Sequence, residues 1–195
     1  MRPTTHDPRR TTTAFFGSWV MGLMSCVAVA LLAGCGQPTT IGRDWNKVDP
    51  PVAAPDFNLQ QLDGGTVTLS QFRGQIVIIE FWATWCQPCR FTLPSLEKIY
   101  QQYRSRGVVV LLANQDEAPE KIRKWAGKRF TAPILLDKGG RIAVRYGAAG
   151  LPHLLIINTE GQFIYAHAGY GGGLERNLKL ILDQLLVEKG SDPYG

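Results

Sequence analysis

Two cysteines separated by two residues, Cys86-Gln87-Pro88-Cys89, are the side chains in this 195-residue chain best placed to do chemistry. A thiolate attacks disulfides and binds soft metals, so such a pair can exchange disulfides, hold a metal or form a staple. The surroundings bear on that choice. Ile76 to Trp82 is a continuous apolar run that predicts a strand buried on both faces. Leu93, Leu96, Ile99, Tyr100 and Tyr103 then recur at helical spacing. The pair therefore falls where a strand gives way to a helix, whose first turn has unpaired N–H groups and a positive dipole end that stabilise a thiolate. Cys86 is expected to be exposed at the helix start and Cys89 one turn inside, with Pro88 in the first helical turn. A staple across two residues closes almost no loop. A structural zinc site needs four ligands and the chain offers one such pair. Copper(I) held by Cys86, Cys89 and a nearby histidine stays open.

The N-terminus sets the compartment. Ala14 to Gly34 is apolar, preceded by Arg9-Arg10, and no charged residue occurs from Thr11 to Gly42. Positive charge before an apolar run directs the downstream chain across a membrane. The run ends in Leu32-Ala33-Gly34-Cys35, which resembles the lipobox of bacterial lipoproteins. The resemblance implies a signal peptide over 1–34, cleavage before Cys35 and acylation of that cysteine. An uncleaved transmembrane anchor is the alternative, because about 20 apolar residues span a bilayer. Either way the remainder lies outside the cytoplasm, where disulfides persist. On the lipoprotein resemblance Cys26 would go with the leader and Cys35 would be lipidated, which would leave Cys86 and Cys89 only each other.

Removing residues 1–34 takes Lys+Arg from 21 to 18 and Asp+Glu from 16 to 15, leaving +3 in place of +5. Those charges are scattered, with no basic run, so no nucleic-acid surface is expected. Residues 35–50 read as the lipidated cysteine and a flexible polar tether, 51–188 as one domain and 189–195 as a tail. Within the domain, Asp63-Gly64-Gly65 marks a hairpin turn. Strands are predicted at 108–113, 132–136, 153–158 and 162–167, with helices at 118–127, 141–146 and from Leu174. This alternation predicts an α/β fold with its sheet covered on both faces.

The stretch Phe81-Trp82-Ala83-Thr84-Trp85-Cys86-Gln87-Pro88-Cys89-Arg90 resembles the active site of thioredoxin-fold proteins. Ala54-Pro55-Asp56-Phe57-Asn58-Leu59, Leu69 to Gly74 and Gly150-Leu151-Pro152 are similar to the extracytoplasmic TlpA/ResA branch. The resemblance implies a thioredoxin-like mixed sheet with helices on both faces and an added N-terminal β-hairpin. It implies a thiol–disulfide oxidoreductase without a small-molecule cofactor, with Cys86 attacking and Cys89 resolving. Pro152 would be a cis-proline shaping the substrate groove, with Leu151 pairing to the partner's chain. Trp85, Gln87, Pro88 and His153 would line that groove, and Trp82 and Trp85 would shield the cysteines. Glu80 occupies the position of thioredoxin's buried acid, and burial should raise its pKa so that it can take a proton from Cys89. Protein disulfides, apocytochromes c among them, would be substrates, and a membrane thiol transporter would return the electrons.

Two positions depart from that branch. Thr92 stands where many members have Glu, and His153 where Thr is common. A histidine beside the cysteines could lower the Cys86 pKa or ligate copper, so a copper chaperone using Cys86, Cys89 and His153 is a rival reading, as is a disulfide oxidase or isomerase. Peroxiredoxins share the Ala-Pro-Asp-Phe opening, but their cysteine follows Thr or Ser by three positions, where this chain has Ala83.

Overall fold

The computed structural model describes residues 41–190 with the exception of residue 127. Among the described residues, eight strands form one sheet. In chain order they are β1 (Trp45–Ala53), β2 (Asn58–Gln61), β3 (Thr66–Thr68), β4 (Ile76–Trp82), β5 (Val108–Gln115), β6 (Ile134–Asp137), β7 (His153–Ile157) and β8 (Gln162–Ala168). The helices are α1 (Cys89–Tyr103), α2 (Pro119–Ala126), α3 (Arg141–Arg145) and α4 (Leu174–Gly190). The spatial order is β1-β8-β7-β4-β5-β6-β2-β3. β4, β5 and β6 run parallel, and β7 returns antiparallel to β4.

All seven residues of β4 are buried, as its unbroken apolar run requires of a central strand. Alternation divides them between two layers. Ile76, Ile78 and Trp82 face α1 and α4, meeting Leu93, Leu96, Ile99, Leu178, Ile181 and Leu182. Val77, Ile79 and Phe81 face the opposite layer, with Phe57, Leu59 and Ala143. Each large side chain so buried contributes roughly 1.5–3 kcal/mol. Glu80 interrupts the run on the α1 side, in register with Leu112 and Leu154. α1 passes into a short 3-10 turn over Arg104–Arg106, which Gly107 ends in the left-handed conformation that a residue with a Cβ disfavours.

The predicted elements are present, including the β2–β3 hairpin, but the sheet begins earlier than expected. Residues 45–50, assigned to the tether, belong to β1, which pairs antiparallel with β8. Their polarity was misleading because β1 is an edge strand, with only Trp45 buried. Asp49-Pro50-Pro51 falls where the register shifts between Lys47 and Val52, since proline has no N–H for the ladder. Residues 1–40 lie outside the described structure, and with them the expected leader and the Cys35 lipidation site. Among the described residues no helix is long and apolar enough to cross a membrane.

Candidate active site

Residues 83–88 connect the end of β4 to the start of α1. Cys86 and Cys89 are joined in a disulfide, with Cα atoms 5.4 Å apart. Pro88 immediately precedes α1 with φ −60° and ψ −34°, angles its ring already favours. Cys89 is therefore the first helical residue, and its N–H has no carbonyl within the helix to bond. It is directed at Cys86 Sγ, at 3.2 Å. The helix end thus presents a donor and the positive dipole end to that sulfur.

Three expectations about this loop are corrected. Cys86 is only 3% exposed and precedes the helix, because its bond to Cys89 holds it against the buried side of α1. Pro88 caps the helix instead of lying inside its first turn. Trp85 is 66% exposed, with most of its surface in solvent, whereas Trp82 is buried and packs on Trp125 at 5.2 Å. Gln87 and Pro88 are exposed beside Trp85.

Beneath the loop lies Glu80, fully buried. Burial raises its pKa to about 8, against a smaller opposing effect of the Thr92 hydroxyl, which donates to Oε1 at 2.6 Å. Glu80 Oε2 has no hydrogen-bond partner among the described residues. Thr92, which departs from the TlpA/ResA pattern, therefore occupies the space between the acid and the turn bearing Cys89. Its oxygen is also 3.2 Å from the Cys89 carbonyl.

A second acid holds the loop and was missed from sequence. Glu117, just before α2, accepts from Thr84 N–H and from Thr84 Oγ1, both at 2.6 Å. It also accepts from Asn114 Nδ2 at 2.8 Å and pairs with Lys121 at 2.6 Å. Burial pushes its pKa up, but Lys121, Thr84 and Asn114 outweigh that and hold it at about 2. The helical i,i+4 spacing of Glu117 and Lys121 is visible in sequence, but the contact with Thr84 is not.

The Leu151–Pro152 peptide is cis. β4 and β7 are neighbours, with Phe81 opposite His153, so Pro152 and the cysteine loop emerge at the same end of the sheet. Pro152 accepts from Gly169 N–H at 2.9 Å. The Leu151 N–H and C=O take part in no hydrogen bond among the described residues, which leaves them available to an added strand. Beyond Gly169, Tyr170 packs at a tilt against Phe91 of α1 with ring centroids 5.2 Å apart, both residues more than half exposed.

His153 is not brought to the cysteines. Its register with Phe81 places it on the opposite face of the sheet from α1, because consecutive strand residues alternate. Its pKa is lowered by burial and by His167. Among the described residues no three His, Cys, Asp or Glu side chains stand together to hold a metal, so the copper set of Cys86, Cys89 and His153 is not assembled. His167 lies on the cysteine side of the sheet instead, buried and stacked on Trp45 at 4.9 Å, with Nδ1 3.1 Å from the Asp44 carbonyl oxygen.

A mixed sheet with a disulfide at the junction of its central strand and first long helix defines a thioredoxin-like domain. The chain belongs to the AhpC/TSA family, whose model matches residues 51–166. It is 32% identical over 117 residues to the thiol-disulfide oxidoreductase ResA of Halalkalibacterium halodurans, a match covering 60% of this chain and 66% of that one. Over 168 residues it is 30% identical to the thioredoxin-like protein YneN of Bacillus subtilis, covering 85% of this chain and 98% of that one. Among solved structures, a Chlorobium tepidum protein assigned as thiol:disulfide interchange protein DsbE superposes with a TM-score of 0.65. That likeness is at 29% identity and covers 72% of this chain and 98% of that one.

Proposed function

We propose that this chain is a thiol–disulfide oxidoreductase acting outside the cytoplasm, tethered by lipid on Cys35, and that it reduces protein disulfides. The observation that carries the reading is the Cys89 N–H directed at Cys86 Sγ at the start of α1. The names of the relatives support it, as do the unpaired Leu151 backbone and the lipobox resemblance.

Reduction starts from the dithiol. The Cys86 thiolate, stabilised by the helix end, attacks a substrate disulfide; a mixed disulfide forms and one substrate thiolate leaves. Cys89 then gives its proton to Glu80, and its sulfur attacks Cys86 Sγ. The Cys86–Cys89 bond forms, the bond to substrate breaks, and the second substrate sulfur departs with the electron pair. Glu80 suits this step because burial brings its pKa close to that of a thiol, so that the proton moves nearly without cost. No small-molecule cofactor enters. Leu151 and Pro152 hold the substrate backbone beside Cys86, with Trp85, Gln87 and Pro88 along the groove. By resemblance, substrates include apocytochromes c, and a membrane thiol transporter returns two electrons to the disulfide. Peroxidase chemistry is disfavoured by Ala83, which puts no hydroxyl three residues before Cys86.

The reduction potential tests the direction. Equilibrated in glutathione buffers, the protein should titrate near thioredoxin's value, about −270 mV. A value near about −120 mV would make it an oxidase. Absence of a redox transition would end the exchange reading. Loss of membrane association in Cys35→Ala tests the tether.

A further inference from the structure

The Thr92 hydroxyl faces two acceptors, Glu80 Oε1 at 2.6 Å and the Cys89 carbonyl oxygen at 3.2 Å, and all three groups are buried. A hydroxyl has one proton and can satisfy only one acceptor at a time. Which one it satisfies depends on Glu80. When Glu80 is ionised, Thr92 donates to the carboxylate. When Glu80 has taken a proton on Oε2, Oε1 is no longer a charged acceptor, and the Thr92 hydroxyl can turn to the Cys89 carbonyl. The heavy atoms need not move between these arrangements. In both, Oε1 lies against Thr92, and Oε2 is the oxygen left without a partner to take a proton.

We infer that Thr92 is a positioning residue for the resolving step: its hydroxyl fixes the Glu80 carboxyl and couples that group's proton to the helical turn carrying Cys89. The inference deepens the proposed exchange reaction and rests on it. Among the described residues packed around Glu80, no charged side chain substitutes for Thr92. Across the sheet Glu80 meets Leu112 of β5 and Leu154 of β7. α4 turns Leu178, Ile181 and Leu182 to this layer, while its Glu175 pairs with Lys179 and Lys98 at the surface. α2 contributes Ile122 and Ala126. On α1 the titratable neighbours are Cys89 and, far along the helix, Tyr103, whose hydroxyl is bonded to Asp183. His167 stands beyond Leu154 and is held to Asp44.

The experiment compares wild type, Thr92→Val and Thr92→Ser in the full chain. It reads single-turnover release of a peptide from its mixed disulfide with Cys86 between pH 6 and 10, alongside a carbon-13 titration of the Glu80 carboxyl. In wild type the release rate should rise with a midpoint near 8. Thr92→Val removes the donor that favours ionised Glu80, so both midpoints should move up by about one unit and release at pH 7 should slow roughly tenfold. Thr92→Ser keeps the hydroxyl and should restore both. Should Thr92→Val not fold, Thr92→Ala supplies the same comparison. A folded variant without the hydroxyl whose two midpoints match wild type overturns the inference, and so does failure of Thr92→Ser to rescue. A pH limb that survives Glu80→Gln overturns the role of Glu80 itself, whatever Thr92 does.

Discussion

Glu117 grips Thr84 at two points, main-chain N–H and side-chain hydroxyl, each at 2.6 Å, and thereby fixes the loop that aims Cys86. Its folded pKa, about 2, lies below its ordinary 4.5. A depressed acid contributes stability that is present above pH 4.5 and lost as pH falls towards 2. Urea unfolding from pH 7 to pH 2.5 should show that loss in wild type and little of it in Glu117→Gln. At pH 7 the substitution should cost roughly 1–3 kcal/mol, since four partners lose a charged acceptor. An unchanged unfolding midpoint at pH 7 would mean that the grip contributes nothing.

Glu80 has the opposite sign. Its folded pKa, about 8, lies above its ordinary 4.5. The folded state therefore holds a proton the unfolded state has released, and stability falls as pH rises from 4.5 to about 8. Glu80→Gln should match wild type near pH 4, exceed it by roughly 2–5 kcal/mol near pH 9, and exchange disulfides more slowly. Equal stability of the two proteins at pH 9 would place Glu80 in water.

Phe91 and Tyr170 form a tilted aromatic pair from the first turn of α1 and from the loop after β8. Being 55% and 57% exposed, they contribute little to the core. Phe91→Ala and Tyr170→Ala should each raise KM for a protein disulfide several-fold while leaving reaction with a small aromatic disulfide unchanged. Equal effects on both substrates would show that the pair shapes the cysteines and not the groove.

Trp45 is the anchor of β1, stacked on His167 and edge-on to Tyr165. A Cβ at Gly171 would collide with the neighbouring Asp44 carboxylate, so the chain before Trp45 packs closely under the loop that carries Tyr170. Trp45→Ala should destabilise the domain by about 3–5 kcal/mol in chemical denaturation. Removal of residues 41–53 should do at least as much. A loss below 1 kcal/mol would make β1 the passive tether its composition suggests.

The sequence by itself determined what local chemistry determines. An apolar run leading into helical spacing places Cys86-Gln87-Pro88-Cys89 at a strand–helix junction, and a carboxylate inside such a run can only be buried. Those patterns have short periods and are read within a few residues. Only the tertiary structure decided which residues meet across longer separations. It brought Glu117 to Thr84, set Thr92 against Glu80 and paired Phe91 with Tyr170, contacts that no spacing announces. It turned His153 away from the cysteines, because strand register fixes the face on which a side chain falls. It drew Trp45 into the sheet, because an edge strand can be polar everywhere except at the one ring that docks it.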